Sequence, residues 1–393
     1  MKKEINTKAL VVGGNSGIGL AVTLVLLANG YSKIYILGKD EPNLKDIPID
    51  CLKDFNERTI FFRINLLTEN YEVFEVIQDI NTLIISVGFG RVAPFEELTE
   101  IEITNLVKCN ELVIINILKK YYSNISSSEP FYCAVMGSFA GHVSSPLFSV
   151  YGAAKAGLCR FIENINLELI AQKKLNRILD VSPGFLEGTR FDGGQNDMSK
   201  LSVTAIEIIN RMFMKEILYI PQFDEIYKEI IEHYRKDPVQ FGISSYKYKI
   251  ESGRLNHTPQ VTIGYLSGTF DLFHIGHLNL LKRAKDHCDY LIVGVHESGA
   301  WKGKETFISF NERKAIVQSV RYVDKVVDSF LEDSDAYNAY HIDKLFVGDD
   351  YKGSERFSKY EKYFKNKNVQ IIYFPYTKGV SSTQLRDHIF RKK

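Results

Sequence analysis

One set of residues has the types and spacing that carbonyl reduction requires. Ser138, Tyr151 and Lys155 are arranged as Ser-x12-Tyr-x3-Lys. On a helix, the spacing of Tyr151 and Lys155 places the ammonium beside the phenol. The cation favours the phenolate and is expected to lower a tyrosine pKa whose ordinary value is about 10. Such a tyrosine can give a proton to a carbonyl oxygen while hydride reaches the carbon, and Ser138 can hydrogen-bond to that oxygen.

A second set of residues indicates chemistry on a phosphate. His274 and His277, with Gly276 between them, lie within Ser267-Gly-Thr-Phe-Asp-Leu-Phe-His-Ile-Gly-His-Leu-Asn-Leu-Leu281. A strand-like run precedes this stretch and an amphipathic segment follows it, which are the parts of a phosphate site at a helix start. On the first helical turn, both imidazoles can point toward an anion that is held by backbone amides.

A glycine-rich turn near the start of the chain has the form of a pyrophosphate site. The run Ala9-Leu-Val-Val12 predicts a buried strand, and Gly13-Gly-Asn-Ser-Gly-Ile-Gly19 follows it. Glycines allow the backbone to approach a pyrophosphate at a helix N-terminus. The cofactor-binding residues predicted in this turn are Gly13, Asn15, Ser16, Gly17, Ile18 and Gly19.

The surrounding pattern predicts two α/β domains, each a doubly wound parallel sheet. In the first part of the chain, strand-like runs at 9–12, 33–37, 59–63, 82–86, 132–136 and 177–181 alternate with helical patterns around 70–79, 96–120 and 152–173. The stretch 192–235 is rich in helical patterns, and the one at 225–233 is expected to cover a substrate pocket or an oligomer face. The polar, proline-containing stretch 254–260 predicts a linker. The predicted bounds are therefore 1–255 for the first domain, 256–260 for the linker and 261–393 for the second domain.

Composition restricts the class of protein. A chain of 393 residues is longer than one ordinary hydrophobic core accommodates, which agrees with two domains. Its 49 basic and 48 acidic residues nearly balance, so the charge indicates neither a nucleic-acid nor a membrane-surface partner. Five scattered cysteines are typical of core thiols in a reducing compartment and predict neither a disulfide framework nor a metal site. No apolar run is long enough to span a bilayer, so a cytoplasmic location is expected.

Residues 8 to about 255 resemble the short-chain dehydrogenase/reductase family in the glycine turn and in the Ser138, Tyr151 and Lys155 set. The resemblance implies that Asn110 is a fourth catalytic residue. This chain departs from the family at Ile85-Ser-Val-Gly88, where Asn-Asn-Ala-Gly is usual. Ser86 is expected to do part of the work of the usual asparagines. The further cofactor-binding residues that the resemblance implies are Asn65, Ser86, Gly88, Tyr151, Lys155, Pro183, Gly184 and Thr189.

The choice of nicotinamide cofactor depends on the end of the second strand, Leu37-Gly-Lys-Asp40. Enzymes that use NAD generally place a carboxylate here for the ribose hydroxyls. In this chain Lys39 is well placed for a 2′-phosphate and favours NADPH, whereas Asp40 leaves NADH open.

Residues 261 to about 390 resemble the glycerol-3-phosphate cytidylyltransferases of the nucleotidyltransferase superfamily. The matching motifs are Gly-x-Phe-Asp-x-x-His-x-Gly-His at 268–277, Asn311-Glu-Arg-Lys314, Arg321-Tyr-Val-Asp324, Gly348-Asp-Asp-Tyr351 and Gly379-Val-Ser-Ser-Thr383. The resemblance implies attack by a phosphate-monoester oxygen on the α-phosphorus of CTP, with Mg²⁺ held mostly by the triphosphate. Its implied catalytic residues are His274, His277 and Arg313. The implied nucleotide- and substrate-binding residues are Gly268, Thr269, Phe270, His274, His277, Lys302, Lys304, Arg313, Asp349, Asp350, Ser381, Ser382, Thr383 and Arg386.

The last motif departs from the cytidylyltransferases. Tyr376-Thr377 stands where Arg-Thr is usual, and Arg386 completes an ending that is similar to that of adenylyltransferases in the same superfamily. Arg386 is expected to replace the missing phosphate contact. CTP is favoured, but ATP stays open.

Together the two halves predict a bifunctional enzyme. The first domain would reduce a keto-sugar phosphate with NADPH, and the second would convert the polyol phosphate and CTP into a CDP-polyol for cell-surface polysaccharides. The alternatives are an adenylyltransferase, or a cytidylyltransferase whose reductase-like domain serves assembly. A homo-oligomer is expected by resemblance in both domains.

Overall fold

The computed structural model describes residues 7–68, 71–189, 191, 196–256, 261–298, 305–375, 377 and 384–386. The chain forms two compact units, Met1–Pro259 and Gln260–Lys393. Each unit is built on its own parallel sheet, which confirms the predicted fold class. No helix within the described ranges is long and apolar enough to cross a membrane.

The first unit contains a seven-stranded sheet with the order β3-β2-β1-β4-β5-β6-β7, in which every pair of neighbours is parallel. The order reverses between β1 and β4, and in such sheets a ligand crevice opens at the carboxyl ends of the strands at that point. The strands are β1 Lys8–Val12, β2 Lys33–Gly38, β3 Thr59–Arg63, β4 Thr82–Ile85, β5 Tyr132–Met136, β6 Ile178–Val181 and β7 Leu218–Tyr219.

Helices cover both faces of this sheet. A buried apolar cluster lies on each face, and alternating residues of β1 point to opposite clusters. Ala9 and Val11 pack into one cluster, and Leu10 and Val12 pack into the other. The helices are α1 Gly17–Ala28, α2 Leu52–Arg58, α3 Val73–Val76, α4 Glu100–Val107, α5 Val113–Lys120, α6 Tyr122–Ile125, α7 Ser149–Ala171, α8 Met198–Phe213, α9 Lys228–Lys236 and α10 Pro238–Glu251.

The helical pattern predicted at 96–120 is divided into three pieces. A capping box between Thr99 and Glu102 begins α4, and a π-helical turn at Lys108–Leu112 separates α4 from α5. Such turns insert a residue into a helix and are frequent at functional sites. Of the pattern predicted at 70–79, the described residues 71–79 form only the single turn α3.

The second unit contains a five-stranded parallel sheet with the order β10-β9-β8-β11-β12. Its order also reverses, next to β8, whose carboxyl end carries the histidine motif. Its strands are β8 Ile263–Gly268, β9 Tyr290–Val295, β10 Lys325–Asp328, β11 Lys344–Gly348 and β12 Gln370–Phe374. Its helices are α11 Ile275–Asp286, α12 Phe310–Gln318, α13 Asp335–Tyr340 and α14 Glu355–Phe364.

Candidate active sites

The glycine turn of the first unit lies directly between β1 and α1. Gly13 has a φ of +87°, and its amide donates to the Leu37 carbonyl at 2.8 Å. A Cβ on Gly19 would lie 2.2 Å from the Gly13 carbonyl oxygen, so only glycine allows α1 to begin this close to the turn. The first amides of α1 therefore face the crevice where a pyrophosphate would bind.

Ser86 holds this turn from the end of β4. Its hydroxyl donates to the Val12 carbonyl at 3.1 Å. The same oxygen lies close to the turn, since a Cβ on Gly13 would be 2.8 Å from it and a Cβ on Gly19 2.4 Å. The serine that departs from the family pattern thus supports the turn through its own hydrogen bond.

A residue from the loop after β6 reaches the N-terminus of α1. Asn196 Oδ1 accepts a hydrogen bond from the Gly17 amide at 3.0 Å, and its Nδ2 donates to Asp46 at 2.6 Å. Thr189, from the same loop, lies 3.9 Å from the position of a Cβ on Gly17. The structure therefore brings the predicted Thr189 to the glycine turn and adds Asn196, which sequence reasoning missed because it belongs to no motif.

The end of β2 presents both charges that bear on the cofactor. Lys39 and Asp40 are exposed, and Arg63 at the end of the neighbouring β3 approaches Asp40 to 4.0 Å. Arg63 was not singled out in the sequence, because the pairing of β2 with β3 is what places it here. Asn65 follows β3, is buried, and accepts a hydrogen bond from the Leu67 amide at 3.1 Å.

Ser138, Tyr151 and Lys155 meet at the start of α7 and are buried in the first unit, with exposed fractions of 8%, 6% and 2%. Tyr151 hydrogen-bonds to Ser138. The Lys155 ammonium donates to the Met136 carbonyl at 2.8 Å and lies 5.8 Å from the centre of the Tyr151 ring. The structure thus brings together the three residues that their spacing selected.

The ionisation of Tyr151 differs from the sequence-based expectation. Burial raises the pKa of Tyr151 to about 12, and the hydrogen bond with Ser138 offsets only part of this. The predicted lowering of the Tyr151 pKa is wrong, because desolvation of the phenolate outweighs the effect of the Lys155 ammonium, which donates to a carbonyl oxygen and not to the phenol. Burial also lowers the pKa of Lys155 to about 8. Tyr151 is therefore a protonated acid at neutral pH, which is the form that reduction needs.

Asn110 lies in the π-helical turn that separates α4 from α5. Its Nδ2 donates to the carbonyls of Phe89 at 2.8 Å and Leu106 at 2.9 Å. Its Oδ1 is buried and has no hydrogen-bond partner among the described residues. A Cβ on Gly88 would lie 2.7 Å from this oxygen and 3.5 Å from the Lys155 ammonium. The turn therefore presents an acceptor next to the lysine, where a water or a ligand hydroxyl can donate to it.

Aromatic side chains line the site around Tyr151. Phe148 stacks on the Tyr151 ring at 4.3 Å, and Phe191 lies 5.5 Å from it. Tyr227 comes from the π-helical turn before α9 and accepts a hydrogen bond from the Phe185 amide at 3.3 Å. A Cβ on Gly184 would lie only 1.8 Å from the Tyr227 oxygen. Tyr227 therefore lies against the predicted Pro183-Gly184 loop, and no motif in the sequence indicated it.

A buried polar cluster lies behind the catalytic residues. Potential ligand atoms of His142, Cys159 and Asp180 lie within 4.8 Å of one another. Ser182 donates to Asp180 at 2.7 Å and lies 3.5 Å from the Cys159 sulfur. Burial raises the pKa of Asp180 and lowers that of His142. These hydrogen bonds stabilise polar groups that would otherwise be costly to bury.

The histidine pair of the second unit forms the N-terminus of α11. His274 Nδ1 accepts from the Gly276 amide at 3.0 Å, and His277 Nδ1 accepts from the His274 amide at 3.4 Å. The two rings stack at 4.0 Å. Because each Nδ1 accepts a backbone hydrogen bond, each Nε2 is left as an N–H donor. The backbone thus fixes two parallel donors at a helix start where an anion is favoured.

The turn before α11 has an unusual backbone that brings the motif together. Phe270 and Leu272 have φ values of 54° and 48°, in the left-handed region. Phe270 is buried, and its ring would lie 2.9 Å from a Cβ on Gly268. The Phe270 ring contacts that of His277 edge-on at 5.4 Å. Strained turns of this kind persist where the surrounding packing fixes them, and they cluster at functional sites.

Arg313 has a different position from the one predicted. It is completely buried and donates to four backbone carbonyls, at Thr269, His296, Glu297 and Ile308. A guanidinium enclosed in this way does not support the predicted phosphate contact. Arg313 instead holds the carboxyl ends of β8 and β9 in place around the histidine turn.

Arg386 lies beside the signature aspartate. Its guanidinium forms an ion pair with Asp271 at 2.6 Å and packs 5.4 Å from the centre of the Phe307 ring. Asp271 also accepts from the amides of Phe307 and Ile308, and these bonds keep its pKa low despite burial. The Arg386 Nε is buried without a hydrogen-bond partner in the part of the chain that the structure describes.

Asp349 and Asp350 are exposed in the turn that follows β11. They lie at the carboxyl edge of the sheet, as does the histidine turn after β8, its neighbour. Lys302, Lys304, Ser381, Ser382 and Thr383 lie outside the described residues. Their assignment stays a prediction.

Comparison with known proteins identifies both units. The short chain dehydrogenase family matches residues 7–200, and the cytidylyltransferase-like family matches residues 265–388. The glycerol-3-phosphate cytidylyltransferase of Bacillus subtilis is 35% identical over 126 residues, which are 31% of this chain and 92% of that protein. A probable NADP-dependent dehydrogenase of Haemophilus influenzae is 26% identical over 196 residues, covering 47% of this chain and 73% of its own length. The crystal structure of a short-chain dehydrogenase from Streptomyces avermitilis aligns with a TM-score of 0.49 and 19% identity, covering 63% of this chain and 99% of that one.

The chain belongs to the cytidylyltransferase-like family through its second unit and carries a short-chain dehydrogenase domain in its first. It is a bifunctional reductase and cytidylyltransferase, as predicted.

Proposed function

We propose that the protein reduces a keto-sugar phosphate to a polyol phosphate and then activates that product with CTP. The products are a CDP-polyol and pyrophosphate. The observation that carries the proposal is the presence, in one chain, of a buried Ser138–Tyr151 acid and a histidine-capped helix N-terminus. The first makes a hydroxyl compound, and relatives of the second act on polyol phosphates such as glycerol 3-phosphate.

In the reductase unit, Tyr151 is the acid. Ser138 orients the substrate carbonyl by a hydrogen bond to its oxygen. NADPH supplies the hydride that reaches the carbonyl carbon, and the Tyr151 hydroxyl gives its proton to the carbonyl oxygen. The Lys155 ammonium stabilises the phenolate that forms at that moment. Lys155 thus favours the product of proton transfer, although burial keeps Tyr151 protonated at rest.

The cofactor is NADPH. Lys39 and Arg63 both present cations near the end of β2, and Arg63 offsets the charge of Asp40 that would otherwise repel a 2′-phosphate. The name of the Haemophilus influenzae relative, a probable NADP-dependent dehydrogenase, agrees with this choice. NADH is the alternative if Asp40 contacts the ribose hydroxyls directly.

In the transferase unit, the polyol phosphate attacks the α-phosphorus of CTP, and pyrophosphate leaves. The Nε2–H groups of His274 and His277 and the first amides of α11 stabilise the negative charge on the transferring phosphoryl group. Asp349 and Asp350 contact the nucleotide from the turn after β11. Mg²⁺ accompanies CTP and is held mostly by its phosphate oxygens.

The products would serve bacterial cell-surface polymers of the teichoic-acid or capsule type, with CDP-ribitol or CDP-glycerol as the activated unit. The cytoplasmic location and the homo-oligomeric state remain predictions.

The decisive experiment combines the substrates in one reaction. Ribulose 5-phosphate or dihydroxyacetone phosphate, incubated with the protein, NADPH and CTP, should yield a CDP-polyol and pyrophosphate. Replacing CTP with ATP tests the adenylyltransferase alternative, which the Ser-Ser-Thr-x-x-Arg ending at 381–386 motivates. If no pairing of a keto-sugar phosphate with either nucleotide gives product, the two-step route is excluded. Absence of NADPH binding would instead favour an assembly role for the first unit.

A further inference from the structure

We infer that Arg254 binds the phosphate group of the keto substrate at the mouth of the reductase site. This inference rests on the proposed function, which supplies the substrate class. The sequence predicts a linker from residue 254 onward, but in the structure residues 254–256 contact the loops that follow β4 and β6.

One side of this segment is bonded to the loop after β4. The Asn256 amide donates to the Val92 carbonyl at 2.9 Å, and Arg91 donates to the Asn256 carbonyl at 3.0 Å. In the same loop, a Cβ on Gly90 would lie 2.8 Å from the Tyr151 ring. The segment at 254–256 is therefore fixed to a loop that contacts the catalytic tyrosine.

The other side of the segment faces the loop after β6. The Arg254 guanidinium carbon lies 4.8 Å from the centre of the Phe185 ring and 5.2 Å from that of Tyr248. Phe185 directly follows Gly184, one of the predicted cofactor-binding residues. Arg254 thus lies between the two loops that border the site, one of which touches Tyr151.

The charge of Arg254 is not neutralised. Its side chain is exposed and forms no ion pair with a carboxylate within the described ranges. Arg91, by contrast, is buried and paired with Glu102 at 3.0 Å. A free cation at the mouth of a catalytic site attracts an anionic substrate.

A second cation adds to the local positive charge. The ammonium of Lys249 donates to Ser145 and to the Pro146 carbonyl, both at 2.8 Å, so its partners are neutral. Ser145 and Pro146 belong to the loop that leads into α7 and Tyr151. Burial and the nearby Arg254 lower the pKa of Lys249 to about 8, so the ammonium is charged at neutral pH. The pair therefore favours a doubly charged group such as a phosphate monoester.

The geometry of Arg254 suits phosphate recognition. Two aromatic rings hold the flat guanidinium, which leaves its N–H edge available for bidentate hydrogen bonds to phosphate oxygens. A side chain that is already ordered loses little entropy when it binds. The carbonyl of the substrate would then lie at Tyr151 and its phosphate at Arg254.

The test compares phosphorylated and unphosphorylated ketoses as substrates of the full-length enzyme and of Arg254→Gln. The substitution should raise KM for the ketose phosphate roughly 10- to 100-fold, the loss expected for charge-assisted hydrogen bonds, and change kcat little. Reduction of the unphosphorylated ketose should be unchanged. Lys247→Gln, which removes an exposed charge from the helix α10 that precedes Arg254, should behave as wild type.

Two outcomes overturn the inference and are distinguishable. If wild type prefers the phosphorylated ketose but Arg254→Gln retains that preference, Arg254 is not the phosphate site and the proposed function stands. If wild type shows no preference for the phosphate, the proposed substrate class itself fails. Arg254→Lys keeps the charge and should recover part of the lost affinity. If Arg254→Lys lowers the KM toward the wild-type value and NADPH binding is the same in all variants, the KM change of Arg254→Gln reflects a lost contact and not misfolding.

Discussion

The two catalytic sites of this protein treat ionisable groups in opposite ways. The reductase site buries its acid and its cation, so burial moves the pKa of Tyr151 up to about 12 and that of Lys155 down to about 8. The transferase site fixes its donors by hydrogen bonds between two imidazoles and the helix backbone, and His274 and His277 stay partly exposed. Proton transfer needs an acid in a defined protonation state, whereas phosphoryl transfer needs donors already in place.

Buried charge also has a different use in each unit. In the reductase unit, the Lys155 ammonium lies beside the reacting tyrosine. In the transferase unit, the fully buried Arg313 binds backbone carbonyls. The buried Lys285, near the other end of α11 from the histidines, forms an ion pair of 2.6 Å with Asp324. In the transferase unit, the buried cations therefore stabilise the fold, and the histidines that act on the phosphate are partly exposed.

The largest expected effect comes from removing the buried acid. Tyr151→Phe should lower the reductase rate by about 10²–10⁴-fold, the usual contribution of a positioned proton donor. Cytidylyl transfer from a supplied polyol phosphate should be unchanged. NADPH oxidation and pyrophosphate release measured on the same sample test both statements. Loss of both activities would mean that the two sites are not independent.

The histidine pair allows capping to be separated from catalysis. Asparagine is a good N-cap residue, so His274→Asn should keep α11 intact while removing the Nε2–H donor. We expect cytidylyl transfer to fall by about 10²–10³-fold, as when a preorganised donor is lost elsewhere. The melting temperature should stay within a few degrees. A full loss of folding would show that the pair serves the helix alone.

Arg313 should affect stability more than substrate binding. Arg313→Met leaves several buried carbonyls without donors, which should cost at least about 3 kcal/mol in the free energy of unfolding. Lys314→Met removes a surface ion pair with Asp328 and a contact of the ammonium with the Phe310 ring, and should cost less than about 1 kcal/mol. Denaturant titrations of the two variants make the comparison. If Arg313→Met is stable but has a raised KM for CTP, the result would support the phosphate contact that the sequence predicted for Arg313.

The smallest effect is a difference in pH dependence. Because burial lowers the pKa of Lys155 to about 8, its ammonium is lost as pH rises through that value. The reductase rate should therefore decline above about pH 8, by up to about tenfold per unit, while Tyr151 stays protonated. Rates of both reactions measured across that range check the prediction. A flat reductase profile would mean that the bound substrates restore the lysine pKa.

Several features of the sites could not be read from the sequence because distant segments create them. Arg63 reaches Asp40 only through the pairing of β2 with β3. Tyr227 reaches Gly184 across more than 40 intervening residues. The segment containing Arg254 has the composition of a linker, and its hydrogen bonds to the loop after β4 become visible only in the folded chain.

The sequence alone determined the two kinds of chemistry. Each reacting set is short-range: Tyr151 and Lys155 share one helix, and His274 and His277 share one helical turn, so spacing fixes their geometry. Tertiary structure decided the protonation of Tyr151, the framework role of Arg313 and the position of Arg254. These properties depend on burial and on contacts between segments far apart in the chain, and local spacing contains neither.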